Sequence, residues 1–322
     1  MSGTTDNSRT HEQPAINSQT VTVGIVIPTK NRPGELVETV AAIGNQIRMP
    51  KELIIIDQSV SGSEDAVREI LSGHPELKLK YVWDPQIPGL VEARIKGVEL
   101  SSADVIFFVD DDTTLDPDCI SNLSDRYMEH PEYGGISGVD TSGASIPWWL
   151  VLARRAYMLG PYADHRSLMN KRHKSLSEPR PSRLVSGGYM SFRRSVFSEF
   201  EFEKDLWGHS WNGSIDFSYR VSAKYPVVID PQVRVVHRNP YGTYTVEDFV
   251  RVRVAGAFFF FKRNITKSPV GWACFSWLLT AILVRSVVLG FQRKSLRRAV
   301  TTFFVELRKG ISFIKKPFEG SY

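Results

Sequence analysis

Three consecutive aspartates, Asp110, Asp111 and Asp112, stand directly after the apolar run Val105–Val109. Like charges a few ångströms apart push one another toward protonation unless a cation or a donor lies between them. At the end of a buried strand a divalent metal is the natural neutraliser. An oxygen set of this kind suits Mg²⁺ or Mn²⁺ carrying a substrate phosphate. Aspartate is also common in solvated turns, so the triplet by itself separates the two readings only weakly.

The elements that must position the triplet supply context. Residues 21–27 are apolar and β-branched, and Pro28 stops the run. Leu36, Val40, Ile43 and Ile47 recur at helical spacing and predict a helix over 35–47. Strands are expected over 53–56, 79–83 and 105–109, and helices over 64–71 and 90–100. Short apolar strands alternating with amphipathic helices imply a parallel sheet covered on both faces. Such sheets bind ligands at the carboxyl ends of their strands. Three polar stretches follow strands here: Thr29-Lys30-Asn31-Arg32, Asp57-Gln58-Ser59 and Asp110 to Asp112. Their recurrence at one edge points to a nucleotide-type site.

Further along, Gly187 and Gly188 sit in a strand-like run, where paired glycines let a ligand or another backbone approach closely. A helix is expected over 216–221. Two strands are expected over 227–229 and 233–236, the second ending at His237. Residues 141–181 are less regular and carry Trp148, Trp149, Arg154, Arg155, Arg166, Lys171, Arg172 and Lys174. A flap, an acceptor-binding insertion and an ordinary surface excursion are all open for this stretch.

The 322 residues, 42% of them hydrophobic, suffice for one large domain or a domain with an appendage. Two distant cysteines, Cys119 and Cys274, indicate neither a disulfide framework nor a cysteine zinc site, so a reducing compartment is expected. Residues 1–20 are polar and read as a disordered lead-in without a signal peptide. The net charge of +5 is unevenly placed: residues 251–322 hold 14 Lys and Arg against Glu306 and Glu319, so this tail carries +12 and the remainder −7. A basic tail on an acidic body points to a polyanion or an anionic membrane surface. A nucleic-acid reader would carry its charge across the folded core, so no nucleic acid is expected.

Within the tail, residues 270–284 hold no charge, Arg285 interrupts, and 286–291 continue the apolar run. A spanning helix wants ~20 apolar residues. Residues 296–314 alternate apolar positions with Arg297, Arg298, Arg308 and Lys309, the make-up of an interfacial amphipathic helix. Membrane-surface association, a true span, and core or oligomer packing are the three readings.

In order and spacing, these motifs resemble the inverting family 2 glycosyltransferases, which have the GT-A fold and use nucleotide-diphospho-sugars. Ile25-Val26-Ile27-Pro28-Thr29-Lys30-Asn31-Arg32 resembles the family's first strand and nucleotide loop. Ile54-Ile55-Ile56-Asp57 is similar to its second strand with an acidic end, and Gly89-Leu90-Val91-Glu92-Ala93-Arg94 to its glycine–leucine–alanine–arginine helix. Phe108-Val109-Asp110-Asp111-Asp112 matches the DxD motif, Ser186-Gly187-Gly188 resembles the acceptor-side glycine pair, and Val235-Val236-His237 the strand whose histidine can complete a metal site. The resemblance covers residues 21–240.

It implies an α/β chain with the GT-A fold, a Rossmann-like, mostly parallel sheet. The transferase domain would occupy 21–250, with a nucleotide half over 21–113 and an acceptor half over 114–250. A basic helical, membrane-associated tail would follow over 251–322. By resemblance, Asp112 and His237 bind the metal, Mn²⁺ or Mg²⁺, and Asp110 the ribose or the metal shell beside Asp111. Pro28, Thr29, Asn31, Arg32 and Asp57 hold the nucleoside, Arg94 supports its pocket, and Gly187 and Gly188 face the acceptor. The donor would be a uridine or deoxythymidine diphosphate sugar and the acceptor a glycan or a lipid-linked glycan. The place would be the cytoplasmic side of the cell membrane, in polysaccharide biosynthesis. The chemistry agrees, because a sugar diphosphate leaves slowly unless the charge building on its oxygens is neutralised.

One stretch departs from the family. An inverting transfer needs a general base to take the acceptor's proton. The family usually supplies it from a Glu-Asp-x-Asp motif opening a helix. Here the aligned residues are Gly213-Ser214-Ile215-Asp216, and a serine hydroxyl is too weak a base. Either Asp216 is the base, or Asp205 or His209 substitutes, or the chain is a silent nucleotide-sugar-binding scaffold. An active enzyme with Asp216 as catalytic base is the expectation, with Asp216→Asn lowering turnover far more than nucleotide affinity. A nucleotidyltransferase would show a glycine-rich, lysine-bearing phosphate loop after the first strand, and none is present.

Overall fold

A computed structural model describes residues 20–142, 148–163, 177–204, 211–238 and 245–315. The lead-in before residue 20, the basic residues Arg166, Lys171, Arg172 and Lys174, and the candidate bases Asp205 and His209 lie outside the described residues.

The amino-terminal half alternates as the pattern predicts: β1 Val23–Thr29, α1 Pro33–Gly44, β2 Glu52–Asp57, α2 Glu64–Leu71, β3 Lys78–Trp83, α3 Leu90–Leu100 and β4 Val105–Val109. Every residue of β1, β2 and β4 is buried, as strands covered by helices on both faces must be. Pro33 opens α1 in its first turn, where a missing N–H costs nothing. The helix stops at Gly44 rather than 47. Past it, the Ile47 N–H turns to donate to the Pro117 carbonyl at 2.9 Å, leaving the Ile47 side chain 75% exposed.

The second half adds β5 Thr113–Leu115, α4 Cys119–Glu129, β6 Gly135–Asp140, α5 Trp148–Tyr157, β7 Arg180–Pro181, β8 Tyr189–Arg193, α6 Trp211–Val221 and β9 Val227–His237. α6 starts earlier than 216, so Asp216 lies inside the helix and not at its start. β9 is one strand, not two. Its register against β6 shifts between Ser137 and Val139, and the intervening Asp230 is buried, bound by Arg126 Nε at 2.6 Å and the Gln232 N–H at 2.9 Å. The bulge absorbs the Asp230–Pro231 step without breaking the strand.

The strands form one sheet in the order β3-β2-β1-β4-β8-β6-β9-β5, with β7 beside β9. β1 to β4 are parallel to one another. β8 is antiparallel to β4 and to β6, and β6 is parallel to β9. Two reversals cancel, so the carboxyl end of β9 lies on the same edge as that of β4. The chain direction across the sheet reverses between β1 and β4, the switch point where α/β sheets open a ligand crevice.

Three helices follow: α7 Val246–Asn264, α8 Pro269–Gln292 and α9 Leu296–Lys315. Thr245 and Asp248 cap α7 reciprocally, each side chain accepting the other's backbone N–H. α7 begins before residue 251, so the expected domain boundary falls inside a helix. Its Phe258, Phe260 and Phe261 anchor a second apolar core with Phe275 and Phe303, distinct from the core around the sheet.

Candidate functional site

β4 delivers the three aspartates to the edge, and each meets a different neighbour. Thr29, the last residue of β1, donates its hydroxyl to Asp111 Oδ2 at 2.7 Å. Arg32 bridges the next two carboxylates, with Nη1 on Asp111 Oδ1 and Nη2 on Asp112 Oδ2, both at 2.7 Å. β5 follows the triplet and pairs with β9, putting Thr113 opposite His237. This register sets His237 Nε2 2.8 Å from Asp112 Oδ1 and 4.0 Å from Asp110 Oδ2. Asp110 is turned outward, its side chain 30% exposed, whereas Asp111 and Asp112 are buried.

Burial, with Asp110 and Asp112 beside it, pushes the Asp111 carboxyl up to about 7 against the Thr29 hydrogen bond and the Arg32 charge. Burial also acts to raise Asp112, but His237 and Arg32 outweigh it and hold that carboxyl below its ordinary range. For His237, burial lowers the pKa and Asp112, Asp110 and Asp140 raise it, with a net rise. Their surroundings therefore push Asp111 and Asp112 in opposite directions.

Asp110, Asp112 and His237 can each present one ligand atom, and these atoms lie within 4.8 Å of one another. Two carboxylates and an imidazole, with one carboxylate open to solvent, fit a divalent cation that leaves positions for phosphate oxygens and water. Asp112 and His237, the expected ligands, are brought together, and Asp110 joins them.

The glycine pair backs this cluster. The Asp110 N–H donates to the Gly188 carbonyl at 3.0 Å, and a Cβ on Gly188 would lie 2.5 Å from Asp110 Oδ2. A Cβ on Gly187 would lie 3.0 Å from both Arg94 Nη2 and Ser214 Oγ. Arg94 is buried, donates to the Gly187 carbonyl at 2.9 Å, and approaches Asp110 Oδ1 at 3.5 Å. The glycines are thus small because Asp110, Arg94 and Ser214 crowd them.

Several expected nucleoside contacts are spent on the protein itself. Asp57 is fully buried: its Oδ1 accepts the Ser59 N–H at 2.8 Å, and its Oδ2 accepts the Ser63 N–H at 3.2 Å and the Tyr81 hydroxyl. Asn31, at φ 55°, donates its N–H to Ser59 Oγ at 2.6 Å and accepts the Val60 N–H at 3.0 Å. Pro28 lies within β1 opposite Ile56. Asp57, Asn31 and Arg32 therefore shape the loops that rim the crevice.

Asp216 is not brought to the cluster. It is fully buried, accepting Arg220 Nε at 3.0 Å and Asn264 Nδ2 at 2.8 Å, with Arg263 Nε at 3.5 Å. Two residues along a helix turn a side chain by about 200°. With Ser214 facing Gly187, Asp216 must face α7. The structure thus does not bring Asp216 to the aspartate–histidine cluster, and its carboxylate ties α6 to α7.

Residues absent from the sequence reading complete the edge. Arg238, next after His237, donates through its backbone to the Asp112 carbonyl at 2.9 Å and through its guanidinium to Thr114 Oγ1 at 2.6 Å and the Glu35 carbonyl at 2.7 Å. Thr39 donates to the Asp111 carbonyl at 2.6 Å, and Asp140 accepts the His237 N–H at 3.2 Å. Adjacency to His237 and position at a strand end were the only signals in sequence for Arg238 and Asp140; Thr39 had none.

Residues 24–200 match the family described as glycosyl transferase family 2. The chain belongs to this family. Among its relatives, the glycosyltransferase is 28% identical over 163 residues to glucosyl-dolichyl phosphate glucuronosyltransferase of Haloferax volcanii, covering 50% of this chain and 49% of that one. It is 30% identical over 131 residues to an N-acetylglucosaminyltransferase of Rhizobium meliloti, covering 40% of this chain and 30% of that one. The chain thus spans half or less of these relatives. Among solved structures it is similar to a mannosyltransferase of Pyrobaculum calidifontis in complex with GDP-Man and Mn²⁺ (TM-score 0.57, 18% identity, 93% of this chain and 76% of that one). It is also similar to S. aureus TarS in complex with UDP-GlcNAc (TM-score 0.59, 13% identity, 91% and 82%). These likenesses bear out the GT-A fold that the motifs predict.

Proposed function

We propose that the chain is a metal-dependent inverting glycosyltransferase. It moves a sugar from a nucleotide-diphosphate donor to a glycan or lipid-linked acceptor, in polysaccharide biosynthesis at the cytoplasmic face of a membrane. The observation that carries the reading is the convergence of Asp110, Asp112 and His237 within 4.8 Å at the switch-point edge of a family 2 sheet. Mg²⁺ or Mn²⁺, when bound there, supplies a Lewis acid for the charge that builds on the departing diphosphate.

The chain's own residues do the positioning. Arg32 and His237 keep Asp112 ionised. Gly188 and Arg94 fix Asp110, and Arg238 holds the aspartate turn from behind. The nucleoside lies along the rim made by Asn31, Ser59 and Val60, with uridine or deoxythymidine diphosphate the donor class. A lipid-linked acceptor is supported by the Haloferax relative, whose name specifies a dolichyl phosphate glycan.

With Asp216 turned toward α7, we assign the proton acceptor to the stretch before α6, where Asp205 and His209 stand in sequence. Unchanged turnover in both Asp205→Asn and His209→Gln would reject this assignment. Ser214 at the place of the acidic pair favours a second reading, a catalytically silent nucleotide-sugar-binding scaffold. A panel of nucleotide sugars separates the two, scored for nucleotide diphosphate release with Mn²⁺, with Mg²⁺ and with EDTA. Release from one donor that EDTA stops, and that Asp112→Ala lowers by about 10²-fold or more, is the expected outcome. Binding with no release from any donor, even with membrane lipid extract present, selects the scaffold.

A further inference from the structure

The outward side of α8 is the feature the transferase site does not use. Trp277, Val284, Val288 and Phe291 follow one another at helical spacing and are 44%, 45%, 48% and 76% exposed. Thr280 lies in the same row. The opposite row, with Phe275, Ser286 and Gly290, is buried against the neighbouring helices. A surface helix of a water-soluble domain turns polar residues outward, and this one turns apolar residues outward along most of its length. The row abuts α5: the Trp277 indole N–H donates to the Ala156 carbonyl at 2.8 Å, and its ring stacks on Tyr157 at 5.3 Å. Leu152 of α5 and the nearby Leu159 are themselves half exposed.

Cations gather where this row ends. Lys294 sits in the α8–α9 turn, Arg297 and Arg298 open α9, and all three are exposed. The Arg298 side chain is 81% exposed and reaches Glu247 only at 4.0 Å. Farther along α9, exposed Arg308 and Lys309 alternate with exposed Phe304, Val305 and Ile311.

We propose that the outward face of α8, with the basic α8–α9 turn, docks on the anionic surface of a lipid bilayer, α8 lying in the interface rather than crossing it. The inference deepens the membrane-side reading above and rests on it for the purpose of docking, not for the surface itself. Charge selects the occupant. The tail from residue 251 carries +12, so a second copy applied to this face would set two such tails against each other. An anionic leaflet complements them, each cation near it adding favourable energy. Packing selects the mode. α8 has the length and composition of a span, but its inner side is packed against α7 and α9, which also pack on each other. A crossing would carry Asp248, Glu306, Arg308 and Lys309 of those helices into hydrocarbon, where charges are costly. Lying flat leaves the charges in water and the apolar row in the acyl boundary.

The test uses the full chain and sedimentation with vesicles of phosphatidylcholine alone or with about 30 mol% phosphatidylglycerol. The expected result is binding to the anionic vesicles that added salt weakens. Val284→Glu with Val288→Glu lowers it by about tenfold or more, and Arg297→Glu with Arg298→Glu removes the anionic preference, about fivefold or more per position. All four sites are exposed, so thermal melts should match wild type. Donor hydrolysis without vesicles is measured alongside. Wild type that hydrolyses donor but does not dock counts against this proposal, and wild type that docks but hydrolyses no donor counts against the transferase reading. The proposal is overturned if wild type ignores anionic vesicles or if the variants sediment like wild type. It is equally overturned by a soluble dimer that Val284→Glu dissociates, or by resistance to alkaline extraction, the mark of a span.

Discussion

Asp110 owes its position to a residue without a side chain. The Gly188 carbonyl fixes its backbone at 3.0 Å, and the missing Cβ leaves room for its carboxylate. Gly188→Ala should therefore leave the fold intact, because the atom in the way is a side-chain end that can swing aside. It should still cost about 10²-fold in turnover, the usual effect of a ligand misplaced by an ångström, with metal affinity reduced in parallel. A melt matching wild type together with that loss is the expected pair of results. Asp216 makes the contrary case. Its carboxylate is buried among Arg220, Asn264 and Arg263. Asp216→Asn should cost about 1–2 kcal/mol of stability by weakening the charge-assisted bond to Arg220 while turnover per folded molecule stays near wild type. Calorimetry with active-site titration measures both, and a selective collapse of turnover would restore Asp216 as base. The aspartates and His237 were legible in sequence through the order and spacing of the surrounding family-like motifs, not through the residues alone. The role of Arg32 was not, since an arginine in a nucleotide loop reads equally as a phosphate contact or a carboxylate bridge.

The elements place these residues through simple geometry. Parallel β1 and β4 leave Thr29 and Asp110 on one edge, and the two reversals through β8 and β6 return His237 to it. The same strands are tied at their other end by Glu52, which accepts Lys80 Nζ at 2.6 Å, the Ser102 N–H at 2.6 Å and the Ser101 hydroxyl at 3.0 Å. Burial acts to raise this carboxyl, but those donors outweigh it and hold it below its ordinary value of 4.5. As the pH falls the unfolded chain takes up this proton first. The stabilisation is therefore complete above pH 4.5 and is lost as the pH falls through the lower folded value. Glu52→Gln should cost about 2 kcal/mol at neutral pH and flatten the acid limb of a plot of Tm against pH. An acid limb identical to wild type would remove Glu52 from that account. The periodicity gave β1 to β4 and the starts and ends of α2 and α3 within two residues, whereas the merging of two expected strands into β9 depended on Arg126 neutralising Asp230 from α4.

The molecule as a whole couples a sheet core to a helical one. α6 joins them: Phe217 packs into the sheet core, and Ile215 and Tyr219 lean on the helices. In the helical core, Phe261 stacks on Phe275 at 4.2 Å, and Gly310 of α9 lies so close to Phe258 of α7 that a Cβ there would overlap its ring. Gly310→Val should force α9 away from α7 at a cost of about 1–3 kcal/mol, read as a lowered Tm. An unchanged melt would mean that α9 is not held to α7 by this close approach. The charge tally that begins at Arg251 starts within α7, which is capped at Thr245, because the distribution of charge does not mark where a helix is capped.

Sequence by itself determined the order of strands and helices up to residue 109, the acidic triplet at a strand end, the family-like motifs and the basic, apolar tail. These are local properties, written in periodicity, turn residues and charge. Tertiary structure alone decided which carboxylates face the crevice and which are consumed inside. Asp57 and Asp216 look as functional in sequence as Asp112, yet donors from β3, α6 and α7 claim them. It also decided that α8 keeps an apolar row in solvent, because the exposure of a helix face depends on what packs against its other sides. The deciding partners, Tyr81 for Asp57 and Asn264 for Asp216, lie tens of residues away along the chain, and no local pattern encodes them.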